Sequence, residues 1–223
     1  DDRRLIGAAA LVRWTDPELG AVSPGRFIPV AEESGAIIPL GRFVLETTLA
    51  QLSEWWRAGL CVAVAVNVSA LQFHQSDFVD SVADGLRRYG LPGEALELEL
   101  TESILITDVD DAMRRLTALS ALGVRLAIDD FGTGYSSLSY LKRFPIERIK
   151  IDRSFIADLP GSAESEAIVV AIIQMGRALR LSVTAEGVET EAQRVLLHAA
   201  GCHEMQGWLM APALTAEAFS KRF

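Results

Sequence analysis

RLAIDDFGTG, residues 125–134, decides how this chain is read. A β-rich apolar run ends there in two adjacent carboxylates, Asp129 and Asp130, and then in a glycine-rich loop. Adjacent carboxylates repel each other and resist burial, so a pair at the edge of a core is tolerated most easily where a cation compensates them. The same layout recurs on both sides of this stretch. Apolar runs of strand length, rich in β-branched residues, lie at 5–12, 62–68, 96–100, 124–128, 146–151, 181–185 and, weakly, 203–209.

Helical patterns separate these runs. In 163–180, Ile168, Ile172, Met175 and Leu179 fall on one face while Glu164 and Arg177 reach water. Pro160-Gly161-Ser162 supplies the turn and N-cap of that helix. Thr190 and Gln193 form a capping-box pattern for the next one, with Gly201 at its C-terminal cap. Further helices are predicted over 108–122, stopping at Gly123, and over 40–58, stopping at Gly59. Trp55-Trp56 reads as the anchor of the latter to the core. Ser23-Pro24-Gly25 and Pro29 read as a loop and short helix after the first strand. Strands alternating with helices predict an α/β fold with a mostly parallel sheet, either open and doubly wound or closed as a barrel. Seven strands nearly complete a barrel, and Asp1-Asp2-Arg3-Arg4 reads as a charged turn leading from something upstream.

With 223 residues, half of them apolar, the chain can bury a substantial core and is read as one domain, 1–223. No apolar run approaches the roughly 20 residues of a membrane-spanning helix, and the N-terminus lacks a signal-peptide stretch. Two cysteines, Cys61 and Cys202, are too few for a disulfide framework, and a cytoplasmic location is expected. The net charge of −9 argues against broad binding to nucleic-acid polymers, whose affinity comes mainly from Lys and Arg neutralising phosphates. A small phosphate ester held through metal remains open.

Function is suggested by position. Polar residues stand at the C-terminal ends of successive strands: Asn67, Glu99, Asp129 and Asp130, Lys150, Glu186 and Gln206. In a βα barrel those ends share one rim, where the active site is built. Asn67, Glu99, Asp129 and Asp130 offer hard oxygen ligands suited to Mg²⁺ or Mn²⁺, two ions if one carboxylate bridges. Such ions lower the pKa of a bound water and stabilise both oxygens of a phosphoester displacement. Lys150 is then placed to orient the water or neutralise charge, and Glu186 to take a proton or complete a metal shell. The loop holding Gly132, Thr133 and Gly134 is read as a support and gate of the site rather than a mere turn.

The motifs NVSALQ (67–72), ELTES (99–103), DDFGTGYSSLSYL (129–141), KIDRSF (150–155), AEGVET (185–190) and QGW (206–208) occur in that order. With them the chain resembles, over essentially its whole length, the EAL domain of bacterial cyclic di-GMP phosphodiesterases. The resemblance implies a modified TIM barrel that hydrolyses cyclic di-GMP to linear pGpG with two Mg²⁺ or Mn²⁺ ions. Its first strand, antiparallel to the others and carrying a Tyr-Gln-Pro segment, is expected ahead of residue 1. The metal ligands are expected to be Asn67, Glu99, Asp129 and Asp130, with Asp129 bridging. Lys150 resembles the water-contacting lysine, and Glu186 the base or second-metal carboxylate. Glu102 resembles the anchor of the loop after the Asp pair, and Glu189 and Gln206 further supports. Leu11 and Arg13 fall where the substrate is contacted, Arg13 at a phosphate, and Asp152 resembles a guanine contact. A homodimer and a neighbouring sensory or diguanylate cyclase domain are also implied.

One departure bears on activity. The signature Glu-Ala-Leu aligns with Ala9-Ala10-Leu11, so Ala9 stands where a metal-binding glutamate is expected. Loss of one carboxylate weakens at least one ion and impairs hydrolysis, while Arg13 and the loop residues leave recognition intact. The chain therefore reads as an impaired phosphodiesterase or as a receptor that senses cyclic di-GMP. Strand-end carboxylates alone also admit an unrelated magnesium-dependent barrel lyase.

Overall fold

The computed structural model describes residues 4–102, 104, 108–133 and 141–223. Its contacts form two compact units, Asp1–Glu99 with Ala118–Arg125 and Phe219–Phe223, and Leu100–Thr117 with Leu126–Ala218. The strands are β1 (Ala8–Ala9), β2 (Trp14–Asp16), β3 (Gly20–Val22), β4 (Val64–Val68), β5 (Leu96–Thr101), β6 (Arg125–Phe131), β7 (Arg148–Ile151), β8 (Ser182–Ala185) and β9 (Glu204–Met205). The helices among the described residues are α1 (Pro24–Ser34), α2 (Ile37–Arg57), α3 (Ala70–Phe73), α4 (Phe78–Tyr89), α5 (Val109–Ala121), α6 (Arg153–Ala157), α7 (Ala163–Leu179), α8 (Glu191–Ala200) and α9 (Ala216–Arg222). The boundaries between the units fall inside β5, α5 and β6.

In the first unit the strand order is β1-β4-β5, with β1 parallel to β4 and Ala9 opposite Ala65. Helix α2 closes over this layer because its apolar positions repeat at helical spacing: Gly41, Leu45, Thr48, Leu49, Leu52 and Trp55 are all buried. Gly41 admits the side chain of Gln72 so closely that a Cβ there would lie 2.1 Å from its Oε1. Trp55 donates from Nε1 to Ser220 Oγ at 2.6 Å and stacks on Phe219, with ring centroids 4.9 Å apart. The anchoring role expected of it is met. The helix stops where Gly59 takes φ +89° and its N–H donates to Trp56 O at 3.1 Å.

In the second unit the order is β6-β7-β8-β9, every pair parallel. The α7 crossover between β7 and β8 buries Val169, Ile172, Ile173 and Gly176. Ser162 caps it by accepting from Ser165 N–H. For α8 the capping box is complete: Thr190 accepts from Gln193 N–H, and Gln193 Oε1 accepts from Thr190 N–H at 2.9 Å.

One sequence expectation is corrected. The first strand, expected over 5–12, is only Ala8–Ala9, because among the described residues this segment pairs only with β4, over a register two residues long. Residues 14–22, to which sequence reading assigns no element, form the antiparallel hairpin β2–β3, with Asp16 Oδ1 accepting from the N–H groups of Glu18 and Leu19 to close its turn. Pro29 lies within α1, the short helix expected here; the ring lacks an N–H, and the carbonyl it fails to pair belongs to Gly25. Elsewhere element types hold, with ends moved by a few residues.

Candidate metal centre

Residues Leu96–Leu100 are buried without interruption, Glu97 and Glu99 included. Parallel strands covered on both faces lose the polar-out alternation. LELEL therefore reflects two buried faces, one of leucines and one of carboxylates. In the first unit Asn67 is an exposed residue of β4, two positions beyond the Ala65 that pairs with Ala9. Ala9 is half-buried and Leu11 is 49% exposed. Arg13 is exposed, its Nη1 donating to Val12 O at 3.0 Å.

In the second unit the Asp pair is set by an irregularity. Side chains of consecutive strand residues normally point to opposite faces, which would send Asp129 and Asp130 apart. Here the β6–β7 register shifts between Ile128 and Phe131, and Asp130 adopts φ +52°. A bulge with a left-handed residue re-aims a side chain, and Asp is among the few residues that tolerate it. The outcome is a cluster in which carboxylate oxygens of Asp129, Asp130 and Glu186 all lie within 4.8 Å of one another.

Lys150, 3% exposed, enters this cluster from β7. Its Nζ lies 2.5 Å from Glu186 Oε1 and 3.3 Å from Asp129 Oδ1. Burial pushes the Glu186 carboxyl up; Lys150 opposes the shift, and the charge of Asp129 adds to it. Asp130 is raised further, to about 6, by withdrawal from water and then by the charges of Asp129 and Asp152. Burial alone would raise Asp152 too, but hydrogen bonds from the Ser154 hydroxyl and N–H outweigh it and hold the carboxyl below its ordinary value. Ser154 N–H donates to Asp152 Oδ1 at 3.0 Å, so Asp152 also caps α6.

Three carboxylates with one ammonium leave an excess of negative charge on hard oxygens, a donor set that suits a divalent cation such as Mg²⁺ or Mn²⁺. The supporting residues are also placed. Thr133 Oγ1 donates to Asp130 O at 2.8 Å, and Gly132, at φ +99°, packs against Phe155 and Ile172. Gly134 lies outside the described residues. Glu102 is buried, and among the described residues neither of its carboxylate oxygens has a hydrogen-bond partner. Glu189 pairs with Arg153 at 3.0 Å. Gln206 donates its N–H to Ala185 O at 2.9 Å and accepts from Val188 N–H at 3.0 Å, which holds it beside Glu186.

A second polar network was not foreseen. Arg148 pairs with Glu204 and donates to Thr184 Oγ1 at 2.8 Å, and Thr184 donates to Glu204 Oε2 at 3.0 Å. RIKID held the signal, since Arg148 and Lys150 share one face at period two. The partners, on β8 and β9, are distant in sequence.

Residues 1–213 match the family model described as the EAL domain. Among curated relatives, the bifunctional diguanylate cyclase/cyclic di-GMP phosphodiesterase MucR of Pseudomonas aeruginosa is 47% identical over 96% of this chain and 31% of its own length. The signaling protein YkoW of Bacillus subtilis is 44% identical over 98% of this chain and 27% of its own. The chain thus spans about a third or less of these relatives. The structure named PaMucR phosphodiesterase, c-di-GMP complex, is 46% identical and superposes with a TM-score of 0.94, covering 97% of this chain and 88% of that one. That likeness identifies the α/β architecture as the TIM-barrel type of these domains. On the family match across nearly all its residues, this chain belongs to the EAL domain family.

Proposed function

We propose that the chain is a cyclic di-GMP phosphodiesterase domain that hydrolyses the cyclic dinucleotide to pGpG, with its turnover reduced by Ala9. The carrying observation is the convergence of Asp129, Asp130, Lys150 and Glu186 on adjoining strand ends. Family membership and a relative's structure with the dinucleotide bound support the same reading. Asp129 and Asp130 would hold Mg²⁺ or Mn²⁺ in this proposal, with Asn67 and Glu99 as further oxygen donors. When bound, such ions neutralise phosphate charge and make a water more acidic.

Lys150 and Glu186 act as a unit. The ammonium orients the attacking water, and Glu186, its carboxyl raised by burial toward working pH, accepts the proton. The water oxygen bonds to phosphorus, the bond to the 3′ oxygen breaks, and that oxygen leaves as a hydroxyl once protonated. Phosphate stays on the 5′ side, as pGpG requires. Arg13 contacts a phosphate, Asp152 a guanine edge, and Leu11 and Gln206 line the substrate. Glu102, Gly132, Thr133, Gly134 and Glu189 hold the loops. Residues 1–223 act as one EAL module of a larger signalling protein, cytoplasmic and dimeric, beside a sensory or cyclase domain. No helix of the described residues is long and apolar enough to cross a membrane.

Incubation with cyclic di-GMP and Mn²⁺, following pGpG, tests this. Turnover is expected to be slow in this chain and to rise at least about tenfold in Ala9→Glu, the scale on which metal-site partners act. No gain in Ala9→Glu counts against it. Ala9 also favours a second reading, a receptor that binds the dinucleotide and passes a signal on without turning it over. Micromolar binding by calorimetry without metal, with no pGpG formed by either protein, selects that reading.

A further inference from the structure

The connection from α8 to β9 carries two exposed histidines, His198 in the last turn of the helix and His203 just before the strand. Their rings meet edge to face, with centroids 5.1 Å apart and an interplanar angle of 77°. Single exposed histidines are ordinary, but a pair set ring to ring needs a backbone that holds both. Here α8 ends in a left-handed turn at Gly201, φ +94°, whose N–H donates to His198 O at 3.0 Å while Cys202 N–H donates to Leu197 O at 2.9 Å. Cys202 is then buried, its thiol donating to Val183 O and Glu204 O at 3.3 Å each. Glu204 enters the sheet opposite Thr184. His203 is thus fixed between a buried side chain and a paired strand residue.

The ring separation has a chemical meaning. Two imidazoles bound through nitrogen to one tetrahedral ion, at about 2.1 Å from each, carry their ring centres about 5 Å apart. Neutral imidazole nitrogen suits Zn²⁺, Cu²⁺ and Ni²⁺, whereas Mg²⁺ and Mn²⁺ seek oxygen. We propose that His198 and His203 form a second cation site, for a late first-row divalent ion such as Zn²⁺, with water completing the coordination shell. Among the described residues no carboxylate or thiol joins the pair as a third donor. The guanidinium of Arg177 borders the turn, its Nη1 3.2 Å from where a Cβ on Gly201 would stand. A positive neighbour and only two protein ligands keep the affinity micromolar. Because β8 and β9 run parallel, the pair lies at the strand ends opposite those that carry Glu186 and Gln206. The site is therefore separate from the carboxylate cluster and independent of the cyclic di-GMP reading. A bound ion ties the end of α8 to the start of β9.

The test is calorimetric titration of Zn²⁺ near neutral pH, with excess Mg²⁺ present to occupy the carboxylates, into the unsubstituted chain, His198→Gln and His203→Gln. One Zn²⁺ is expected to bind the unsubstituted chain, and either substitution weakens it at least about tenfold, since a direct ligand matters no less than the partners that orient one. In proton NMR the imidazole signals of His198 and His203 move with Zn²⁺, while those of His74, the third histidine of the chain, stay in place. In EDTA all three proteins are expected to share one thermal midpoint, because both side chains are exposed, and Zn²⁺ raises it only in the unsubstituted chain. Zn²⁺ affinity within twofold of the unsubstituted chain in either variant, unmoved His198 and His203 signals, or uptake that Asp129→Asn abolishes overturns the site.

Discussion

Lys150 is the residue on which the cluster's electrostatics turn. It is almost wholly buried and faces both Asp129 and Glu186. Removing one partner of a buried ion pair leaves uncompensated charge, which is far more costly than the pair itself is stabilising. Lys150→Met is accordingly expected to lose about 3 kcal/mol in urea unfolding of the metal-free protein. Saturating Mn²⁺ should recover most of that loss by taking over the neutralising role. An equal loss with and without Mn²⁺ contradicts the assignment. Cys202 gives a different residue-scale prediction. Burial pushes its thiol up to about 11, against an ordinary 9.0. In the unfolded chain it ionises first, so its contribution to stability is complete below pH 9 and is lost as pH rises toward 11. Cys202→Ala should flatten that part of the stability profile, and at pH 8 a thiol reagent should label exposed Cys61 while sparing Cys202.

Among elements, strands and helices were legible wherever side-chain periodicity alone decides them. The capping box of α8 is written in Thr190 and Gln193, and the structure repeats it bond for bond. Thr190→Ala is expected to cost about 1 kcal/mol of stability, measured by urea unfolding. Gln193 also donates from Nε2 to Ile156 O at 3.0 Å, a tie to α6 that no local pattern signals. What sequence reading missed shares a cause. The β2–β3 hairpin has three-residue strands, too short for alternation to register, and its strand residues are mostly exposed. The length of β1 depends on a partner strand, not on its own apolar run. Most instructive is β6: DD in the sequence suggests a pair of carboxylates. Only the bulge and the left-handed Asp130 explain how two successive side chains join one cluster. The location of the site was legible because strand ends are; its geometry was not, because backbone irregularity has no one-letter code.

The molecule as a whole joins a family fold to Ala9 in place of the signature glutamate. The EAL motifs made the architecture readable from sequence, and the match over residues 1–213 bears that out. Whether a domain with Ala9 works as a catalyst or as a sensor depends on how well the remaining oxygens hold a cation. Calorimetric titration of Mn²⁺ into the unsubstituted chain, Asp129→Asn and Asp130→Asn at pH 8 addresses this most directly. A saturable site is expected in the unsubstituted chain, its affinity lowered at least about tenfold in both variants. Indistinguishable Mn²⁺ affinity in all three proteins would contradict it.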